Sequence, residues 1–173
     1  MTGKLSWAAP IEPGRQMMGL TLGMSEEEVW TALGLGDDDL VKEVAFVGGP
    51  SLIVDSRKSG VIYLRTPWVK DATYEWQDKV GRLVFAQGVL TNVIAQLVPF
   101  DECPDVYAGR FGGDFGLQSP VSAAKRFGSL EYDDAEEVFY IPGLEGLEFA
   151  GSNSCDLSLA PEQYVTFLRV FQS

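Results

Sequence analysis

Apolar and polar positions alternate along this chain in two different periods, and the helical one comes first. In MGLTLGMSEEEVWTALG, Met18 to Gly34, Val29 and Leu33 lie four apart on one face beside Trp30. Ser25 is placed to cap that helix, Glu28 to reach back to the Ser25 amide, and Glu26 and Glu27 to meet the positive end of the helix dipole. Gly34 supplies a left-handed stop.

A period of two then takes over. LVKEVAFV (Leu40 to Val47) and SLIVD (Ser51 to Asp55) read as strands around Gly48, Gly49 and Pro50, followed by GVIYLR, Gly60 to Arg65. ATYEWQ, Ala72 to Gln77, alternates large and polar residues and reads as another strand. RLVFA and VLTNVIAQLV flank Gln87 and Gly88, the strongest hairpin signal in the chain. This middle section is expected to be an antiparallel meander.

The loop from Pro99 to Gly116 holds two prolines, four glycines and the acidic trio Asp101, Glu102 and Asp105, and reads as a seam. Beyond it, FGLQSPVSAAKRFG repeats the helix grammar, with Ser119 as cap, Pro120 at the first helical position and Gly128 as terminator. Strands are expected at EEVFYI (Glu136 to Ile141), GLEFAG (Gly146 to Gly151) and QYVTFLRVF (Gln163 to Phe171), the last as a central strand. A shift of 94 residues carries Ser25 onto Ser119, Val29 onto Ala123, Leu33 onto Phe127 and Gly34 onto Gly128. The pattern therefore predicts an α+β fold: mainly antiparallel sheet with two short capped helices, arranged as two pseudo-repeated helix-meander units packed as one body. One domain over 1–173 is expected, with internal halves 14–100 and 114–173 and a seam at 101–113.

Composition narrows the chemistry. A chain of 173 residues can bury a core without a disulfide framework, and its two cysteines, Cys103 and Cys155, form no CxxC pair. With no histidine the common zinc patterns cannot be assembled, so no metal or other cofactor is expected. The first 20 residues lack the apolar core of a signal peptide, and no run reaches the ~18–20 apolar residues of a membrane span, which predicts a soluble cytoplasmic protein without a membrane partner. The net charge of −12 is uneven: residues 1–100 carry 12 acidic and 9 basic side chains, residues 101–173 carry 13 and 4. Such a field repels nucleic acid and steers a basic protein partner, although acidity also serves solubility alone.

Among candidate groups, Asp133, Asp134, Glu136 and Glu137 form the densest carboxylate cluster. They lack the spaced pattern of a calcium loop, and adjacent positions do not by themselves flank a sugar, which leaves a solvated turn or a surface for a cationic partner. Asp37, Asp38 and Asp39 read as a polar turn or an extension of that surface. The triplet in GGDFG has none of the other kinase motifs, Cys103 has no histidine base, and GxSxG is absent. Trp68, Tyr74, Trp76 and Tyr107 sit in or beside loops and edge strands, where they either pack in the core or anchor an interface.

Pro13 and Gly14, then GLTLGMSEEEVWTALG, then strands, resemble a phrase from small bacterial proteins. One relative by motif is the SmpA/BamE class of outer-membrane assembly lipoproteins, whose signal peptide and lipobox cysteine are not seen near the start of this chain. The other is the heterogeneous group of immunity proteins encoded beside polymorphic, contact-dependent or type VI secreted toxins. The likeness covers about 20 residues, with a looser second copy ending in GLEGLEF. What the immunity resemblance implies is a non-enzymatic inhibitor that covers the active site of one cognate toxin domain of basic character. The partner-binding residues would then be Trp68, Tyr74, Trp76, Asp101, Glu102, Asp105, Tyr107, Asp133, Asp134, Glu136 and Glu137. Two alternatives differ in what they require: a carboxylate-dependent hydrolase needs two acids converging in a pocket, and an adaptor or chaperone for a secreted effector needs an exposed apolar groove.

Overall fold

The computed structural model describes residues 5–173. A two-residue pair, β1 (Gln16–Met17) and β2 (Leu20–Thr21), precedes helix α1 (Glu26–Leu33). The first meander is β3 (Val41–Ala45), β4 (Ser51–Asp55), β5 (Val61–Arg65), β6 (Lys79–Ala86) and β7 (Val89–Gln96). A long connection containing a 3₁₀ helix, Val121–Phe127, leads to β8 (Glu131–Asp133), β9 (Val138–Tyr140), β10 (Leu147–Gly151) and β11 (Val165–Phe171). Strands β3 to β11 form one nine-stranded sheet in the order β3-β4-β5-β6-β7-β11-β10-β9-β8, with every neighbouring pair antiparallel. The last strand is thus a central one, as the apolar run 163–171 predicts.

Strand alternation sorts the two faces. The paired positions Val54, Leu64, Gly81, Ala95, Leu168, Phe149 and Phe139 form one row across seven strands, and all are buried. Small residues in the middle of that row make room for what lies above: a Cβ on Gly81 would stand 3.3 Å from the Met18 side chain. The same core holds Val29 and Leu33 of α1, Leu5 and Trp7 from the N-terminal segment, and Phe115 and Leu117 from the long connection. On the opposite face the row Asp55, Tyr63, Arg82, Ile94, Arg169, Glu148 is mostly polar, the pattern of an antiparallel sheet with one side toward water.

Local chemistry explains the first helix as expected. Ser25 Oγ accepts from the Glu28 amide (3.1 Å) and Glu28 Oε2 from the Ser25 amide (2.7 Å), a reciprocal cap worth about 1 kcal/mol. Gly34 closes the helix at φ 67°. The Gln87–Gly88 turn has positive φ at both positions, which matches the twist of its flanking strands.

The second helix differs from its predicted twin. Its buried residues, Val121 and Ala124, lie three apart, the period of a 3₁₀ helix, whereas Val29 and Leu33 lie four apart. Ala123 and Phe127, predicted to face the core, are only half-buried. Ser119 does not cap, because its hydroxyl accepts from the Gly116 amide and donates to the Asp114 carbonyl; Pro120 occupies the cap position and offers no side-chain hydrogen bond. Gly128 sits at φ 153°, ψ −173°, away from the Gly34 geometry. Helix-then-meander order recurs in the two halves, but the residue correspondence at offset 94 does not carry into the helices.

Two further expectations are corrected. Ala72 to Gln77 form turns instead of a strand: Gln77 Oε1 accepts from the Thr73 and Tyr74 amides at 2.7 and 3.1 Å, which curls the chain, and neither side of the segment has a layer to pack against. The predicted seam runs through the core, where Tyr107 is 0% exposed. Its hydroxyl donates to the Ala9 carbonyl (2.5 Å) and accepts from the Met18 amide (3.2 Å), and burial pushes its pKa up to about 12. Tyr107 is therefore a core residue that ties the long connection to the N-terminal segment, with no surface to offer a partner.

A second tie joins distant parts of the chain by backbone alone. Gly14 donates its amide to the Gly146 carbonyl (3.0 Å), and the two glycines approach so closely that a Cβ on Gly146 would lie 2.3 Å from Gly14 Cα. Among the described residues no helix is long and apolar enough to cross a membrane.

Candidate partner-binding surface

The strand order brings separated loops to one end of the sheet. There β5 ends and β6 begins, β7 ends, β10 ends and β11 begins, so the connections 66–78, 97–120 and 152–164 all leave from the same side. Five aromatic residues are exposed among those described: Trp68, Tyr74, Trp76, Phe100 and Tyr164, between 37% and 60%. All five belong to these connections. Leu159, 78% exposed, joins them. Concentrated aromatic exposure at one place marks a surface that gains by being covered.

Thr66 organises this end. Its amide donates to the Asp78 carbonyl (2.7 Å), closing the base of loop 66–78. Its hydroxyl donates to Asp105 Oδ2 (2.5 Å) and accepts from the Trp68 amide (3.1 Å), which pins that loop to the long connection. The Trp68 ring then leans on Phe100 at 6.2 Å between centroids, and Tyr74 stacks on Trp76 at 6.2 Å with the planes 8° apart. Such pairing limits the freedom of the exposed rings, which lowers the ordering cost of any contact made through them.

Between these loops lies a cavity of about 340 Å³ lined by Leu97, Val98, Phe100, Asp101, Asp105 and Tyr164 among others, none of them a lysine or arginine. Asp101 is exposed at its rim and Glu102 is exposed next to it in sequence, whereas Asp105 is only 9% exposed. The sequence pattern, which reads Asp105 as surface acid, misses that the chain turns inward at Cys103, itself buried.

A larger hollow of about 730 Å³ lies on the polar face beneath Tyr74 and includes Asp55, Tyr63, Arg65, Asp78 and Lys79. Most of its charges are already paired. Arg57 donates to both oxygens of Asp55 (2.9 and 2.6 Å), Arg65 donates to Asp78 (2.8 Å), and Lys79 stands 4.1 Å over the Tyr63 ring. The Arg57 hydrogen bonds hold the Asp55 carboxyl below its ordinary value of 3.8, against the opposing effect of burial. A carboxyl whose pKa falls on folding gives stability that is present above about pH 4 and lost as pH drops through the lower folded value. Urea unfolding of the native chain and of Asp55→Asn is expected to show a native advantage at pH 7 that shrinks steadily below about pH 4; a constant gap would contradict the assignment.

The cluster Asp133, Asp134, Glu136 and Glu137 forms the tip of the β8–β9 hairpin, and the register places that tip on the aromatic end, three strands beyond β11. Asp133 builds the turn, its Oδ1 accepting from the Ala135 and Glu136 amides at 2.8 and 3.2 Å, while Asp134, Glu136 and Glu137 are exposed. The acidic tip therefore flanks the aromatic loops from the side, two to three strands away in the sheet. Asp39, in contrast, accepts from the Gly36 amide (2.8 Å) and Lys42 Nζ (2.9 Å) at the opposite end, which fits the polar-turn alternative. Phe100 and Leu159 escape the sequence reading, and Tyr164 enters it only as part of the last strand; each lies beside other apolar residues, so no local signal sets it apart as exposed.

Comparison of the chain with protein-family models, with curated proteins and with solved structures finds no match.

Proposed function

We propose that this chain is an immunity-type inhibitor, which binds and occludes the active site of a cognate, basic, secreted bacterial toxin domain in the cytoplasm and performs no reaction itself. The observation that carries this reading is the gathering of all five exposed aromatics at one acid-flanked end of the sheet. Aromatic anchors slow release, and surrounding carboxylates raise the association rate toward a basic cleft. An inhibitor that holds a lethal enzyme inactive at low copy number needs nanomolar binding, about −12 kcal/mol.

Co-expression tests it. A small basic toxin-like domain encoded beside this chain should be tolerated when both are made, and the two should elute together from gel filtration. Cell death despite abundant folded protein, with no complex, would end the proposal.

One observation favours the hydrolase alternative: Asp101 and Asp105 line the same cavity. Turnover of chromogenic glycosides or esters that is abolished by Asp101→Asn would support it over inhibition.

A further inference from the structure

We infer that the cavity between Phe100, Tyr164 and Asp105 is a receptor for a single cationic side chain, the guanidinium or ammonium group of an arginine or lysine on the bound partner. This inference rests on the partner-binding reading and names the chemistry at the centre of that surface.

The starting point is an under-served buried acid. Asp105 is nine-tenths buried, yet no lysine or arginine among the described residues lies within ion-pairing distance of it. Its only side-chain donor there is the Thr66 hydroxyl, on Oδ2. An ionised carboxylate offers about four acceptor sites, so most of its capacity is left toward the cavity it lines. A carboxylate that lines a cavity and is not already taken up by an arginine is free to receive a charge-assisted hydrogen bond from a cation entering that cavity. Every other buried carboxylate contrasts with it: Asp55 and Asp78 are both held by arginines.

The walls suit the same guest. Phe100, Tyr164, Leu97 and Val98 line the cavity beside the two carboxylates, an apolar lining along which the alkyl stem of a long basic side chain can lie. Asp101 at the rim gives a second carboxylate for the entering charge, and about 340 Å³ exceeds what one such side chain fills. The wider field agrees, since the net charge of −12 draws a cation in and repels an anion.

The test does not need the partner. N-acetyl-arginine amide and N-acetyl-lysine amide are titrated into the labelled full chain, with N-acetyl-norleucine amide as the uncharged control, while amide NMR resonances of Thr66, Phe100 and Asp105 are followed. Saturable shifts in the millimolar range are expected from the two cations only, weakened about tenfold or more in Asp105→Asn and less in Asp101→Asn. Asp101 is exposed, so its variant keeps the test open should the buried substitution impair folding. Equal shifts from the norleucine probe, undiminished shifts in the folded variants, or no shift at any concentration would overturn the inference. If the cationic probes bind but no toxin domain does, the receptor stands and the inhibitor reading falls. If a toxin complex forms with undiminished affinity in both variants, the reverse holds.

Discussion

Replacing Gly146 with alanine is expected to destabilise the fold by about 2–5 kcal/mol. The new Cβ would lie 2.3 Å from both Cα and N of Gly14 and 2.8 Å from the Phe171 carbonyl oxygen. All three neighbours are backbone, so no side chain can swing aside. The position also holds φ 83°, where an L side chain is strained by about 1–2 kcal/mol on its own. Gly143 provides the control, because it has φ 86° but nothing within 4 Å of its notional Cβ. Urea midpoints for Gly143→Ala and Gly146→Ala should therefore differ by the steric contribution alone. Equal midpoints would mean that the Gly14–Gly146 contact is looser than described.

If the proposed toxin domain is the partner, Trp68→Ala is expected to weaken that complex by about 2–4 kcal/mol, on the order of 30- to 700-fold in Kd. Trp68 combines a large exposed face with a ring that leans on Phe100, a residue lining the cavity that holds Asp105. Because its exposure in the free chain is substantial, truncation should change folding stability by less than about 1 kcal/mol. Leu40→Ala is the matched control: Leu40 is 51% exposed but precedes β3 at the other end of the sheet. Calorimetric titration would distinguish the two, and comparable losses from both would place the interface elsewhere.

The elements that could be read from the chain are those whose signals are local. Ser25, Glu28 and Gly34 interact with one another within a single turn or two, so their spacing specifies α1 without help. The β-branched runs and the Gln87–Gly88 turn specify the central hairpin in the same way. Where the outcome depends on distant groups, the pattern misleads. Ser119 looks like a cap until Gly116 and Asp114 take its hydroxyl. Tyr107 lies among acids, prolines and glycines, and only its partners Ala9 and Met18, about ninety positions away, reveal a core residue. ATYEWQ has strand alternation, but a strand needs a neighbour and a buried side, and this segment has Gln77 instead. The candidate site follows the same rule. Its acids and most of its aromatics are visible as residue types, while their meeting at one end is a product of strand order, which no single segment encodes.

Strand β11 completes that end by pairing residues 167–171 with 92–96 of β7. A ribosome adding about 5–20 residues per second finishes β7 roughly 4–15 seconds before it finishes β11. During that interval the growing polypeptide carries a bare sheet edge, open to wrong partners and to chaperones. No nascent chain can display Tyr164 beside Phe100 until this last strand has been translated, so the assembled surface comes into being all at once and late.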